Sequence, residues 1–195
     1  MNLARLEPFF LRVPQGIKSL LRLSLYKLLG MNIGVSNRME KSRCRRVTQI
    51  SIGNNNAFTE GVMLWPEDTF SDRLRIKIGD KNYFNRNIMI DAGHYIEIGN
   101  FNMFGPDVYI TDSNHTFGPG VIPYEQPMQK GTVKIGNYCW IGAKAVILKD
   151  VELGDYCVVA AGAVVTKSYP AGSVIAGVPA KLLHRTEGIQ NEKLL

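Results

Sequence analysis

The chain has 195 residues, 45% of them hydrophobic, enough for one well-buried domain. Its formal charge of +6 sits at the start: residues 1–46 carry ten Lys or Arg against two Glu, and the remainder carries 13 basic against 15 acidic residues. Three Cys without a C-x-x-C pair argue against an oxidised disulfide scaffold, and no apolar run reaches the length of a membrane span.

The first dozen residues include Arg5, Glu7, Pro8 and Arg12, which break any signal-peptide pattern. The expected location is therefore the cytoplasm. Residues 16–30 place Ile17, Leu20, Leu21, Leu25, Leu28 and Leu29 at i, i+3, i+4 spacing, the stripe of an amphipathic helix. Lys18 and Arg22 fall on the other side, Lys27 flanks the stripe, and Gly30 stands where a helix stops. The stripe is expected to pack on the body of the protein or on a neighbouring subunit. The alternative is a peripheral membrane contact through residues 16–30, since basic amphipathic helices bind anionic lipid. No aromatic-interleaved motif accompanies the basic residues, so nucleic acid is not an expected partner. Residues 37–49 are polar and basic and read as a connector, which gives a helical and basic arm over 1–49.

From about Ile50 the pattern changes to a period of six. Ile135, Ile141, Ile147, Leu153, Val159 and Val165 form an unbroken ladder, and Cys139, Ala145, Val151, Cys157 and Ala163 run four places behind it. A helix repeats every 3.6 residues and a strand every two, so neither makes this period alone. A chain turning a corner every six residues does: three flats close one coil and coils stack into an all-β solenoid. The small residue is expected to fill the cramped corner. Ile52-Gly53-Asn54, Ile78-Gly79-Asp80, Ile98-Gly99-Asn100, Ile135-Gly136-Asn137 and Leu153-Gly154-Asp155 repeat a turn signal, read as cheap access to positive φ. The ladder Ile78, Phe84, Ile90 restarts at Ile98 after a two-residue insertion. Over Ser113–Thr132 the repeat is lost altogether, with Gly118, Pro119, Gly120, Pro123 and Pro127 marking a projecting loop over 113–132. The solenoid is assigned to 50–185 and a polar tail to 186–195.

Three stretches together carry a family resemblance: Cys139-Trp140-Ile141-Gly142-Ala143, Ala161-Gly162-Ala163-Val164-Val165-Thr166-Lys167 and Gly177-Val178-Pro179-Ala180-Lys181. Over about residues 50–185 the chain resembles the hexapeptide-repeat acyltransferases, in particular the maltose/galactoside O-acetyltransferases and their polysaccharide-modifying relatives. The resemblance implies a left-handed parallel β-helix, acetyl-CoA as co-substrate, no metal, and a homotrimer with active sites between subunits. The handedness comes from the resemblance, because parallel crossovers are otherwise nearly always right-handed.

Acetyl transfer from a thioester to a hydroxyl needs a base, an oxyanion donor, positive charge for phosphates and a groove for the pantetheine arm. His115, at the loop root, matches the family's catalytic His, and imidazole titrates in the right range to take and return a proton. Asn85, Asp91, Met128 and Trp140 are the substrate-side candidates. Asn85 and Met128 match family positions. Asp91 stands two residues before Gly93, which occupies the place of the family's acceptor-side carboxylate. The repeat does not require an indole at Trp140. Gly105, Gly142, Ala143 and Ala161 match positions along the CoA arm, although a tight corner wants small residues anyway. Thr166, Lys167, Lys181 and Arg185 match positions around the nucleotide, where cations neutralise phosphate. His94 is a weaker candidate for a substrate contact and His184 is expected to be inert.

The expected function is O-acetylation of a sugar or cell-envelope glycan. Antibiotic O-acetylation and a non-catalytic β-helix scaffold are the alternatives. A zinc-dependent carbonic anhydrase on the same solenoid would need three His ligands, and His94, His115 and His184 lack that spacing.

Overall fold

The structure, a computed structural model, describes residues 7–67 and 71–186. It is a left-handed parallel β-helix with a helix across one end. Strands of two to four residues alternate in order among three sheets, each coil giving one strand to each flat, and the second sheet, of eight strands against six in the others, is extended at its end by Ser173–Gly177 and the antiparallel Ala180–Arg185. The first flat opens at Asn32–Ile33, the second at Arg38–Met39 and the third at Arg43–Cys44.

The stack therefore starts one coil before the expected boundary at residue 50. Residues 37–49, read as a connector, contain strands that pair in parallel with the next coil, Met39 beside Phe58 and Cys44 beside Leu64. Their basic side chains hid them, because a two-residue strand buries only one side chain. Arg38–Met39 shows the pattern, with Arg38 outside and Met39 wholly buried.

The core is a set of columns parallel to the stack. Phe58, Phe84 and Phe104 lie face to face with ring centroids 4.7 Å apart, and the column continues through Ile141, Val159 and Ile175. Each is wholly or almost wholly buried. Burial of such a side chain stabilises by about 1.5–3 kcal/mol, so every coil adds its own increment.

A second column is polar. Asn56, Asn82 and Asn102 are buried, and each carboxamide oxygen accepts from the backbone N–H at the equivalent place one coil on: Asn82 at 2.9 Å, Asn102 at 2.9 Å and Cys139 at 2.7 Å. Cys139 and Cys157 continue this column as buried free thiols. The corner is thus filled by Asn in the early coils and by a small thiol only in the late ones.

The Gly-Asn and Gly-Asp turns work differently from the expectation. Positive φ falls on the residue after the pair, at Asn55, Lys81, Phe101, Tyr138 and Tyr156. The glycines are needed for space: a Cβ on Gly99 would lie 2.6 Å from the carbonyl oxygen of Gly136 in the next coil. The left-handed residues point outward, and Phe101, Tyr138 and Tyr156 stack there with centroids 4.9 Å apart.

The helix, α1 (Glu7–Leu28), begins earlier than the predicted residue 16 and runs through Pro14. It stops as predicted, with Gly30 left-handed, Gly30 N–H donating to Lys27 and Met31 N–H to Tyr26, the hydrogen-bond pair of a Schellman end. Its orientation overturns the packing expected within the chain. Ser19, Arg22, Leu23 and Tyr26 face the first coil, while all six leucines and isoleucines of the stripe are more than half exposed. Arg22, expected to face water, donates from one guanidinium nitrogen to the carbonyls of Met39 (2.9 Å) and Glu40 (2.8 Å). The Ser19 hydroxyl accepts from Met39 N–H at 2.8 Å. The edge of the first coil offers unpaired backbone groups, and a small hydroxyl and a guanidinium satisfy them where leucines could not.

Candidate active site

Equivalent residues in the late coils are 18 apart, but earlier coils are longer, with spacings of 26, 20 and 37. All the extra residues leave the coil at the same corner, between third and first flats: after Met63–Pro66, after Met89–Ala92 and after Tyr109–Thr111. The corner between second and third flats carries none.

The corner without insertions holds a groove of about 560 Å³. Asn85, Gly105, Gly142 and Ala160 follow one another at it, each N–H bonded to the coil above. Asn85, Gly105, Gly142, Ala143 and Ala161, five of the predicted residues, line this groove, and Trp140 forms its wall beside Met103 and Tyr83. The indole is half exposed on the second flat. The glycines also have a structural reason: a Cβ on Gly105 or Gly142 would lie 2.5 Å from a backbone nitrogen of the next coil. Asn85 accepts from Arg86 N–H through its side-chain oxygen at 2.8 Å.

Thr166, Lys167, Lys181 and Arg185 do not line that groove. They are exposed at the far end of the stack. The Lys167 ammonium lies 5.7 Å from the Tyr169 ring centroid, and the Tyr169 hydroxyl donates to the carbonyl of Ala180 at 2.6 Å. Tyr169 thus joins the Lys167 segment to the Ala180–Arg185 strand that carries Lys181 and Arg185.

The corner with insertions holds His115. The loop leaves through a short antiparallel ribbon, Ser113 opposite Lys130 and Asn114 opposite Gln129, and His115 follows it, exposed. Beneath the ribbon the buried Asp112 carboxylate accepts from Gly93 (2.6 Å), His94 (2.8 Å) and Tyr95 (2.5 Å) N–H groups. Burial raises its pKa, against the pull of those three donors. Glu67 pairs with Arg75 at 3.2 Å and with Lys130 at 2.5 Å, and Arg75 also reaches the carbonyl of Gly93. His94 has its ring nitrogen 2.8 Å from Arg73, which gives it a structural partner. The three insertions are therefore tied to one another, and the root of the longest is held by the shorter two.

A pocket of about 390 Å³ opens beside this network. It contains the predicted Asp91 and Met128, together with Trp65, Arg45, Glu67 and Lys130, which sequence reasoning did not select. Asp91 accepts from the Tyr109 hydroxyl at 3.0 Å, and Trp65 is its neighbour one coil below. Arg45 lies 5.4 Å from the Trp65 ring centroid. Trp65, like Trp140, is an indole that the six-residue repeat does not require. Among the described residues no cluster of three His, Cys, Asp or Glu could hold a metal ion.

The bacterial transferase hexapeptide (six repeats) family model matches residues 132–167, the regular coils. The chain is 33% identical over 144 residues to WbbJ of Escherichia coli (strain K12), named for O-acetyl transfer in lipopolysaccharide biosynthesis, a match covering 70% of this chain and 71% of that one. It is 44% identical over 110 residues to nodulation protein L of Rhizobium leguminosarum bv. viciae, covering 56% of this chain and 57% of the relative. Among solved structures it resembles AntD, an N-acyltransferase from Bacillus cereus in complex with dTDP and 3-hydroxybutyryl-CoA (TM-score 0.72, 20% identity, 85% and 88% of the chains), and a galactoside acetyltransferase in complex with coenzyme A (TM-score 0.59, 24% identity, 84% and 69%). A stack of three-flat coils, the hexad pattern and a relative matched over more than two thirds of both chains lead to one conclusion: the chain belongs to the hexapeptide-repeat acyltransferases.

Proposed function

We propose that the protein transfers an acetyl group from acetyl-CoA to a hydroxyl of a sugar or cell-envelope glycan in the cytoplasm, with His115 as general base. The observation that carries this reading is the groove, in which Asn85, Gly105, Gly142, Ala143 and Ala161 follow one line under the Trp140 wall. Side chains that small leave backbone N–H and C=O groups within reach of a pantetheine arm. Lys167 and Lys181 at the far end supply charge for phosphates, with Thr166 and Arg185 beside them.

The acceptor would lie in the pocket around Asp91. An indole face, a carboxylate and flanking cations suit a sugar ring bearing an anionic substituent, because the ring's C–H face packs on Trp65 while Asp91 accepts from a hydroxyl. His115 takes the proton of the reacting hydroxyl as its oxygen attacks the thioester carbonyl, and returns it to the departing sulfur. Asn85 or a backbone N–H steadies the charge on the carbonyl oxygen.

Asn85 and His115 stand near opposite corners of the third flat, on the order of 15–20 Å apart at strand rise. One chain does not bring them together, but a second copy set against the groove can. This supports a homotrimer in which the loop corner of one subunit completes the groove of its neighbour.

The test supplies acetyl-CoA with nucleotide sugars, oligosaccharide fragments and antibiotics, and measures thiol release. Release stimulated by glycans, lost in His115→Ala and in Trp140→Ala, and partly restored when the two variants are co-assembled, is the expected result. Stimulation by antibiotics alone would reassign the acceptor, and no release with any acceptor would leave a scaffold.

A further inference from the structure

Among the described residues, nothing covers the outward face of α1. Val13, Ile17, Leu20, Leu21 and Leu28 are 44–84% exposed. At 3.6 residues per turn they fall within an arc of about 100°, with Ser24 a polar residue inside it. Lys27 borders the arc on one side, and Lys18 borders it on the other beyond Leu25. The opposite face is committed to the first coil by Ser19, Arg22 and Tyr26, so the helix cannot roll to bury its leucines without breaking those bonds.

We propose that this face docks the protein on a membrane surface containing anionic lipid, with α1 lying in the plane of the interface. Charge selects the occupant. Residues 13–46, the helix and first coil, carry eight Lys or Arg and one Glu, whereas the solenoid beyond them has a slight excess of acid. A second copy of the same face would bring Lys18 and Lys27 against their own kind. Anionic headgroups meet these cations on both sides of the stripe, while the lysine stems let the ammonium groups reach upward as the leucines enter the acyl boundary. The helix lies across the end of the stack, so a flat surface meets the stripe before it meets the coils. No helix among the described residues is long and apolar enough to cross a membrane, which makes the contact peripheral.

The experiment is co-sedimentation of the full chain with vesicles of phosphatidylcholine alone and of phosphatidylcholine with phosphatidylglycerol, at low and high salt. Binding to the anionic vesicles, weakened by salt, is expected. Lys18→Gln/Lys27→Gln should lower it about 25-fold, since each basic residue near such a surface contributes roughly 5-fold. Leu20→Gln/Leu21→Gln should abolish it, and both variants should keep the parent's circular dichroism and acetyl-CoA turnover. Equal binding to neutral vesicles that ignores the lysine change would overturn the proposal, as would no binding to either vesicle. A Leu20→Gln/Leu21→Gln chain that changes sedimentation coefficient without lipid would assign the stripe to a protein interface and overturn it too.

Discussion

Two corners of the same triangular coil have been treated in opposite ways. Where the second flat meets the third, the chain turns without an inserted residue, and Gly105 and Gly142 sit tight against the coil above. Where the third flat meets the first, coils are lengthened by eight, two and nineteen residues beyond the 18-residue repeat. A solenoid tolerates insertions because each coil contacts only its neighbours. Confining them to one corner leaves the other free to present bare backbone along a straight line. In the reaction proposed above, the interrupted corner would provide the reacting side chains and the plain corner the track for the CoA arm.

The sharpest way to break this comparison is to add bulk at the plain corner. Gly142→Val puts a branched side chain where even a Cβ lies 2.5 Å from Ala161 N. Overpacking of this kind costs about 3 kcal/mol, so the melting temperature should fall by roughly 6–12 °C. One extra Gly after Gly120, in the loop, should move it by less than about 2 °C on the same scale. Equal losses in the two variants would show that the corners do not differ in tolerance. The next largest effect is chemical. His115→Ala should lower turnover about 100-fold with an unchanged melting curve, and a rate within a few-fold of the parent would remove His115 from the reaction.

Asp112→Asn probes how the interrupted corner is held. The amide cannot accept from Gly93, His94 and Tyr95 as the carboxylate does, and loss of charge-assisted bonds should cost about 1–2 kcal/mol. The KM for the acceptor should rise more than kcat falls, because the loop root shifts while His115 remains. A variant with unchanged kinetics would mean that the ribbon of Ser113 and Lys130 holds the root unaided. The smallest effect concerns the end of the track. Lys167→Ala and Lys181→Ala should each raise the KM for acetyl-CoA about 5-fold, the upper range for an exposed ion pair. At least one of them should matter less with the dephospho form. Equal changes with both forms would move these lysines away from the 3′-phosphate.

The regular coils were legible because one period repeats without interruption from Ile135 to Val165. The groove was legible for the same reason, since small residues at constant register point to a single line on the surface. The first coil was not: its strands are two residues long and its outward positions are arginines, so Arg38–Met39 and Arg43–Cys44 carry no apolar run. The orientation of α1 was also hidden. A helical stripe reveals which side is apolar, but the edge of a coil asked for hydrogen-bonding groups, and Ser19 with Arg22 met that need. Trp65 and Asp112 were visible as residues but not as a pocket and its anchor, because the partners that define them lie 18 to 26 residues away in sequence.

The bonds from Ser19 and Arg22 to the backbone of Met39 and Glu40 bear on polymerisation. Every coil is a template for the next, and an uncovered first coil would offer an incoming chain the same register that coil two offers coil one. Growth by stacking end on end would then have no natural stop, the route by which exposed strand edges become fibres. The helix is therefore expected to act as a chain terminator: its polar face closes the template, which leaves its apolar face outside. A Ser19→Ala/Arg22→Ala chain should accordingly elongate into rods visible by light scattering, and a discrete, stable particle would show that the terminator lies elsewhere.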